Sequence, residues 1–183
     1  METTDTGKLR LAAPSDVAAL TELIAASVRT LSRGFYSEAQ AESALRYVFG
    51  VDSQLIADGT YYVIEDDLGL AAAGGWSRRL HLYGGDQAKG TEDPLVDPAR
   101  EPARIRAFFV APRAARRGLA RRLYEQCVVA AKEFGFTRVE LMATMPGVPL
   151  YRALGFEAGK EHSLSLPDGT LLPLVQMSRR IGE

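Results

Sequence analysis

The sequence predicts a single α/β domain, and three observations carry that prediction. Residues 105–110 (IRAFFV) form an apolar and aromatic run with the composition of a buried strand. Over 116–135, Leu119, Leu123, Cys127, Ala130 and Phe134 recur at helical spacing on one face. Residues 137–143 (TRVELMA) then alternate as a strand does. Strand, helix and strand in that order build a sheet covered by helices.

Length and composition agree with one domain. The chain has 183 residues and a mass of 19.9 kDa, enough for a sizeable core. Its 46% hydrophobic and 25% charged residues are ordinary for a globular protein. A formal net charge of −1 argues against nucleic acid as a partner. Cys127 is the single cysteine, so neither a disulfide framework nor a CxxC metal pair can be built, and no metal is expected. The polar start METTDTGK and the lack of any apolar run of membrane-spanning length predict a soluble cytoplasmic protein with no membrane partner.

Taken in order, residues 1–8 read as a flexible tail and 9–183 as the domain. Residues 9–12 form a short first strand. Ser15 or Asp16 caps a helix whose apolar positions Val17, Leu20, Leu23, Ile24 and Val28 share a face. Gly34 ends it, and Ser37 caps a second helical stretch over 37–48. Residues 60–65 and 68–76 are strands joined at Asp66-Asp67. Residues 77–103, rich in glycine, proline and acidic side chains, form one long irregular region. That length predicts a lid over 84–102, mobile without substrate and closing over a filled pocket. Near the end, 155–165 and 171–179 are strands joined by Pro167-Asp168-Gly169.

The chemistry concentrates after residue 110. Pro112 ends the strand, because it lacks an N–H and fixes its own φ. An arginine-rich turn follows, in which Gly118 permits close backbone approach before the helix begins. Arg113, Arg116, Arg117, Arg121 and Arg122 crowd a helix start whose partial charge is already positive. They make sense there if an anion compensates them, and a helix N-terminus is where a phosphate binds.

Two motifs then name a family. The turn Ala115-Arg116-Arg117-Gly118-Leu119-Ala120 and the run Pro149-Leu150-Tyr151-Arg152-Ala153-Leu154-Gly155-Phe156 resemble the GNAT N-acetyltransferase superfamily. Departures are Ala115 in place of a polar side chain, Arg116 where a second glycine often stands, and Thr144 at a common asparagine position. The resemblance implies a GNAT-type fold: a mixed, twisted sheet of about six to seven strands with helices on both faces. It implies acetyl-CoA as cosubstrate, its pyrophosphate held at Ala115, Arg116, Arg117, Gly118, Leu119, Ala120 and Arg121. It also implies a bulge in strand 104–110, with Phe108, Phe109 and Val110 against the pantetheine and thioester end.

The implied reaction moves an acetyl group to a primary amine of a small molecule or peptide by direct attack, with Tyr151 as the acid for the leaving thiolate. Relatives often place a glutamate base on strand 104–110, but this chain has Arg104 and Arg106 there. His81 is the substitute candidate, ahead of His162, and ordered water is the option that names no residue. Phe35, Tyr36, Tyr47, Trp76 and Tyr83 suggest an acceptor pocket with apolar walls. The alternative is a catalytically silent acyl-CoA-binding module, and a homodimer is left open.

Overall fold

The computed structural model describes residues 7–182, which form one seven-stranded sheet and five helices. The strands are β1 (Lys8–Leu11), β2 (Tyr61–Asp66), β3 (Gly69–Ser77), β4 (Ala103–Val110), β5 (Arg138–Thr144), β6 (Glu157–Ser165) and β7 (Leu171–Arg180). The helices are α1 (Val17–Leu31), α2 (Glu38–Tyr47), α3 (Ser53–Ala57), α4 (Leu119–Glu133) and α5 (Val148–Ala153). In the sheet the order is β1-β2-β3-β4-β5-β7-β6. All neighbours are antiparallel except β4 and β5, the two strands joined through α4. The expected tail over residues 1–8 lies mostly outside the described residues, and Lys8 already belongs to β1.

Helices cover both faces. On β2, Tyr62 turns toward Gln126 and Cys127 of α4, whereas its neighbour Tyr61 donates its hydroxyl to Ala107 O at 3.2 Å and lies near Asp52. Burial holds the Tyr61 phenol far above its ordinary range. Between the sheet and α4 sit Leu119, Leu123, Cys127 and Ala131, with Trp76 packed against Phe134 and Phe136.

Local chemistry explains most element ends. Ser37 caps α2 as expected: its Oγ accepts from Gln40 N at 3.0 Å, and Gln40 Oε1 accepts from Ser37 N at 2.9 Å. The expected cap on α1 is corrected. Pro14–Asp16 forms a 3-10 turn first, and the Asp16 carboxylate faces backward to accept from Ala13 N at 2.7 Å and from Arg10. Helix α4 starts at Leu119 rather than 116, because Arg116 (φ 61°) and Gly118 (φ 79°) are left-handed. Helix α3 has no counterpart in the sequence reading; Asp52 caps it, accepting from Gln54 N and Leu55 N at 3.1 and 3.3 Å.

Candidate active site

The site begins where β4 and β5 separate. They pair only at Ala103–Val139 and Arg104–Glu140. Beyond that, β4 stays with β3 as far as Val110, while β5 follows β7 to Thr144. Two strands that part midway leave an open edge along β4, able to receive an extended ligand.

A bulge sits at the same place. On β3, Ala73 pairs with Phe109 and Gly75 with Arg106, so Ala107 and Phe108 together oppose Gly74. Ala107 takes φ 55°, a left-handed conformation that is costly for a residue with a Cβ. The extra residue resets the alternation. Arg106 and Phe109 face Asp52 and Phe49 respectively, while Phe108 packs on Tyr151 with ring centroids 6.4 Å apart. Glycine at 74 makes room for this: a Cβ there would lie 2.5 Å from the Phe108 ring. Gly74→Ala is therefore expected to cost about 1–3 kcal/mol, as overpacking does, measured by urea unfolding.

At the far end of β4 the glycine turn opens α4. Arg122 N bonds Gly118 O, so the preceding N–H groups stand at the open end of the helix. Arg116, standing where relatives often carry glycine, holds a left-handed conformation. The two described non-glycine residues with positive φ, Ala107 and Arg116, thus both belong to this site. The five arginines divide their work. Arg113 grips Asp66 at 2.6 and 2.9 Å, and its guanidinium pulls that carboxyl below the usual range. Arg117 lies 3.8 Å from Asp66, and Arg122 bonds Gly7 O at 2.8 Å. Arg116 and Arg121 are exposed and make no ion pair among the described residues.

A cavity of about 200 Å³ joins these parts, running from Ala120 through the separated strands to α1. Phe108, Phe109, Val110, Ala120 and Tyr151 line it, as do Thr144 and Gly147. Burial pushes the Tyr151 phenol well above its ordinary value, so it stays protonated across and beyond the neutral range. Opposite, the lining comes from Ser27, Val28, Leu31 and Ser32 of α1 and its end, from Val48–Gly50, and from Leu82–Gly85 of the long loop.

His81 is not among the lining residues. Its Nδ1 lies 2.9 Å from Asp93 Oδ1 without the alignment of a hydrogen bond, and its backbone O accepts from Arg106 at 2.9 Å. His162 sits on β6, at the opposite sheet edge from β1. Of the five aromatics expected around the acceptor, Tyr83 alone lines the cavity. Trp76 is on the α4 side, Tyr36 is bonded to Pro173 O and Met145 N, and Phe35 is exposed. Burial takes the Tyr36 phenol up to about 12. Phe49 and Phe109 line the cavity instead, in edge contact with each other.

The long loop is tied down through a buried charge cluster around Asp52, which the sequence did not single out. Asp52, fully buried, meets the Arg106 guanidinium at 2.8 Å and the Lys89 ammonium. Arg106 also donates to Gly84 O at 2.6 Å, and burial pulls its guanidinium down. Gly85 N bonds Val48 O, Asp86 N bonds Val51 O, and Arg79 grips Asp58. The loop's first half is thus a wall held from beneath, where the sequence suggested a lid starting at 84. Asp52-Ser53 carried a cap signal that could have revealed α3. Nothing local pointed to the pairing with Arg106, 54 residues away.

Comparison with known proteins gives this architecture its class. The sequence matches the acetyltransferase (GNAT) family over residues 25–156, and the chain belongs to that family. No curated protein matches it. Among solved structures, a GCN5-related N-acetyltransferase from Rhodopseudomonas palustris superposes with a TM-score of 0.71 at 17% identity, covering 98% of this chain and 99% of that one. A phosphinothricin acetyltransferase from Sinorhizobium meliloti, in complex with acetyl-CoA, gives 0.62 at 25% identity over 97% and 90%. The PaiA N-acetyltransferase from Thermoplasma acidophilum, in complex with coenzyme A, gives 0.63 at 13% over 94% and 98%.

Proposed function

We propose that this chain transfers the acetyl group of acetyl-CoA to a primary amine by direct attack. The observation that carries the reading is the continuity of the parts: separated strands, bulge and glycine turn line or adjoin one cavity that Tyr151 also lines. The pyrophosphate sits on the N–H groups at 118–121, with Arg116 and Arg121 free to approach it. The pantetheine arm lies along β4 beyond Arg104, and Phe108, Phe109 and Val110 surround the thioester end. That acetyl-CoA accompanies one of the similar folds, and coenzyme A another, supports the choice of cosubstrate.

In the reaction the amine lone pair attacks the thioester carbon, and the carbonyl π electrons move to oxygen. Collapse of the tetrahedral adduct breaks the C–S bond. Tyr151 donates its proton to the leaving thiolate and is reprotonated from water. Nitrogen loses its proton to solvent, since His81 is turned to Asp93 and strand β4 offers no carboxylate.

Calorimetric titration with acetyl-CoA, followed by mass detection of N-acetylated amines, tests the reading. Arg116→Ala is expected to cost about 1 kcal/mol, roughly a fivefold rise in Kd, because the backbone donors remain. Arg113→Ala should change Kd less, since that guanidinium is already committed to Asp66. Equal and large losses in both would refute the backbone cradle.

A further inference from the structure

The cavity wall says more about the acceptor than its being an amine. Resting on the transferase reading, we infer that the acceptor is a small, largely apolar primary amine taken up in its uncharged form, not a polyamine or a lysyl peptide. Three observations combine. The acceptor end is walled by Val28, Leu31, Phe49, Leu82, Tyr83 and Phe109, with Ser27 and Ser32 as its neutral polar side chains. No carboxylate lines the cavity among the described residues, and the one charged lining side chain is a cation, Arg106. The space, about 200 Å³, runs from Ala120 to α1 and is shared by the cosubstrate arm, its thioester end and the acceptor, and it falls below the ~300–1,000 Å³ typical of drug-sized ligands.

Each observation excludes something. An ammonium entering this space would shed its water and meet no counter-ion among the lining residues, and Asp52, behind the lining Arg106, is buried and already paired with Arg106 and Lys89. A polyamine would carry at least a second charge into the same walls. A lysyl peptide would need room for backbone, where Leu82–Gly85 is held down through Arg106 and Val48. An apolar amine has none of these costs, and its alkyl or aryl body gains by burial.

The same account explains the missing base. An amine selected in its neutral form has lost its proton before it enters, so no carboxylate on β4 is required. The pH dependence then belongs to the substrate: kcat/KM rises with pH and levels at the acceptor's own pKa, moving when the acceptor is changed.

The test uses the full chain, acetyl-CoA and four acceptors: 2-phenylethylamine, n-hexylamine, spermidine and a lysyl tripeptide. The two apolar amines are expected to exceed the two cationic acceptors by roughly a hundredfold in kcat/KM. Leu31→Glu, which adds a carboxylate to the wall, should narrow or reverse that ratio. Preference for spermidine or the peptide in the unaltered chain overturns the inference and leaves acetyl transfer standing. An inflection fixed near pH 6.5 for every acceptor also overturns it, since an enzyme base would then set the profile. Acetyl-CoA binding with no transfer to any of the four overturns the transferase reading itself.

Discussion

Tyr151→Phe lowers kcat by about 10²–10⁴ while acetyl-CoA affinity and thermal stability barely change. The substitution removes a hydroxyl and keeps a ring that packs on Phe108 and Phe156, so packing alone predicts no loss. Burial keeps the phenol protonated and so available as a donor, but it also makes it a weaker acid, so its proton moves only as negative charge develops on the leaving sulfur. Activity should therefore show no alkaline loss from this group near ~10, where a free phenol would ionise. Stopped-flow measurement under single-turnover conditions isolates the chemical step. Undiminished chemistry in the variant would reduce Tyr151 to a packing residue.

Asp52→Ala costs about 3–5 kcal/mol of stability, by stranding the Arg106 guanidinium in the interior without its counter-charge. Loss of the α3 cap adds about 1 kcal/mol. For a chain of this size the thermal midpoint should fall by roughly 10 °C or more. Asp52→Asn separates the contributions, because asparagine still caps but carries no charge. A double-mutant cycle with Arg106→Gln measures the pair itself, and its coupling should be large because each partner alone is stranded. Losses under ~1 kcal/mol in Asp52→Ala would show that the loop wall does not depend on this pair.

How much of this was legible beforehand depends on the range of each interaction. Strand 105–110, the α4 stripe and the two hairpin turns rest on neighbours in sequence, and the structure keeps them with small shifts at their ends. The Pro167-Asp168-Gly169 turn closes as its residues demand, with Gly169 at φ 84° and Asp168 accepting from Thr170 N at 3.0 Å. The arginines were harder to apportion. Adjacency suggested that all five serve one anion, but the sheet brings Asp66 to Arg113 and Gly7 to Arg122, contacts across 47 and 115 residues. Arg106 read as the absence of a carboxylate, and became meaningful only when folding set it beside Asp52. The aromatics misled for the same reason. Adjacency to the long loop placed Trp76 by the acceptor, yet strand alternation turned it to the α4 face, whereas the bulge turned Phe109 inward. A one-residue bulge reverses every later side chain on its strand, and no periodicity announces it.

The near-division of the sheet also bears on how the chain assembles. On one side of the β4–β5 junction lie β1 to β4, on the other β5, β7 and β6, and each group is antiparallel throughout. Hairpins such as β2–β3 and β6–β7 close short loops, which chain entropy penalises little. The two halves share only two residue pairs, and those require the whole α4 crossover to be in place. Pairing across that junction is no more distant in sequence than the pairing of β1 with β2, yet it is held by fewer ladder pairs than any other junction of the sheet. The gap proposed for the cosubstrate is therefore the junction where local opening breaks the fewest ladder bonds, and a ligand laid along β4 supplies bonds there that the strands do not make to each other.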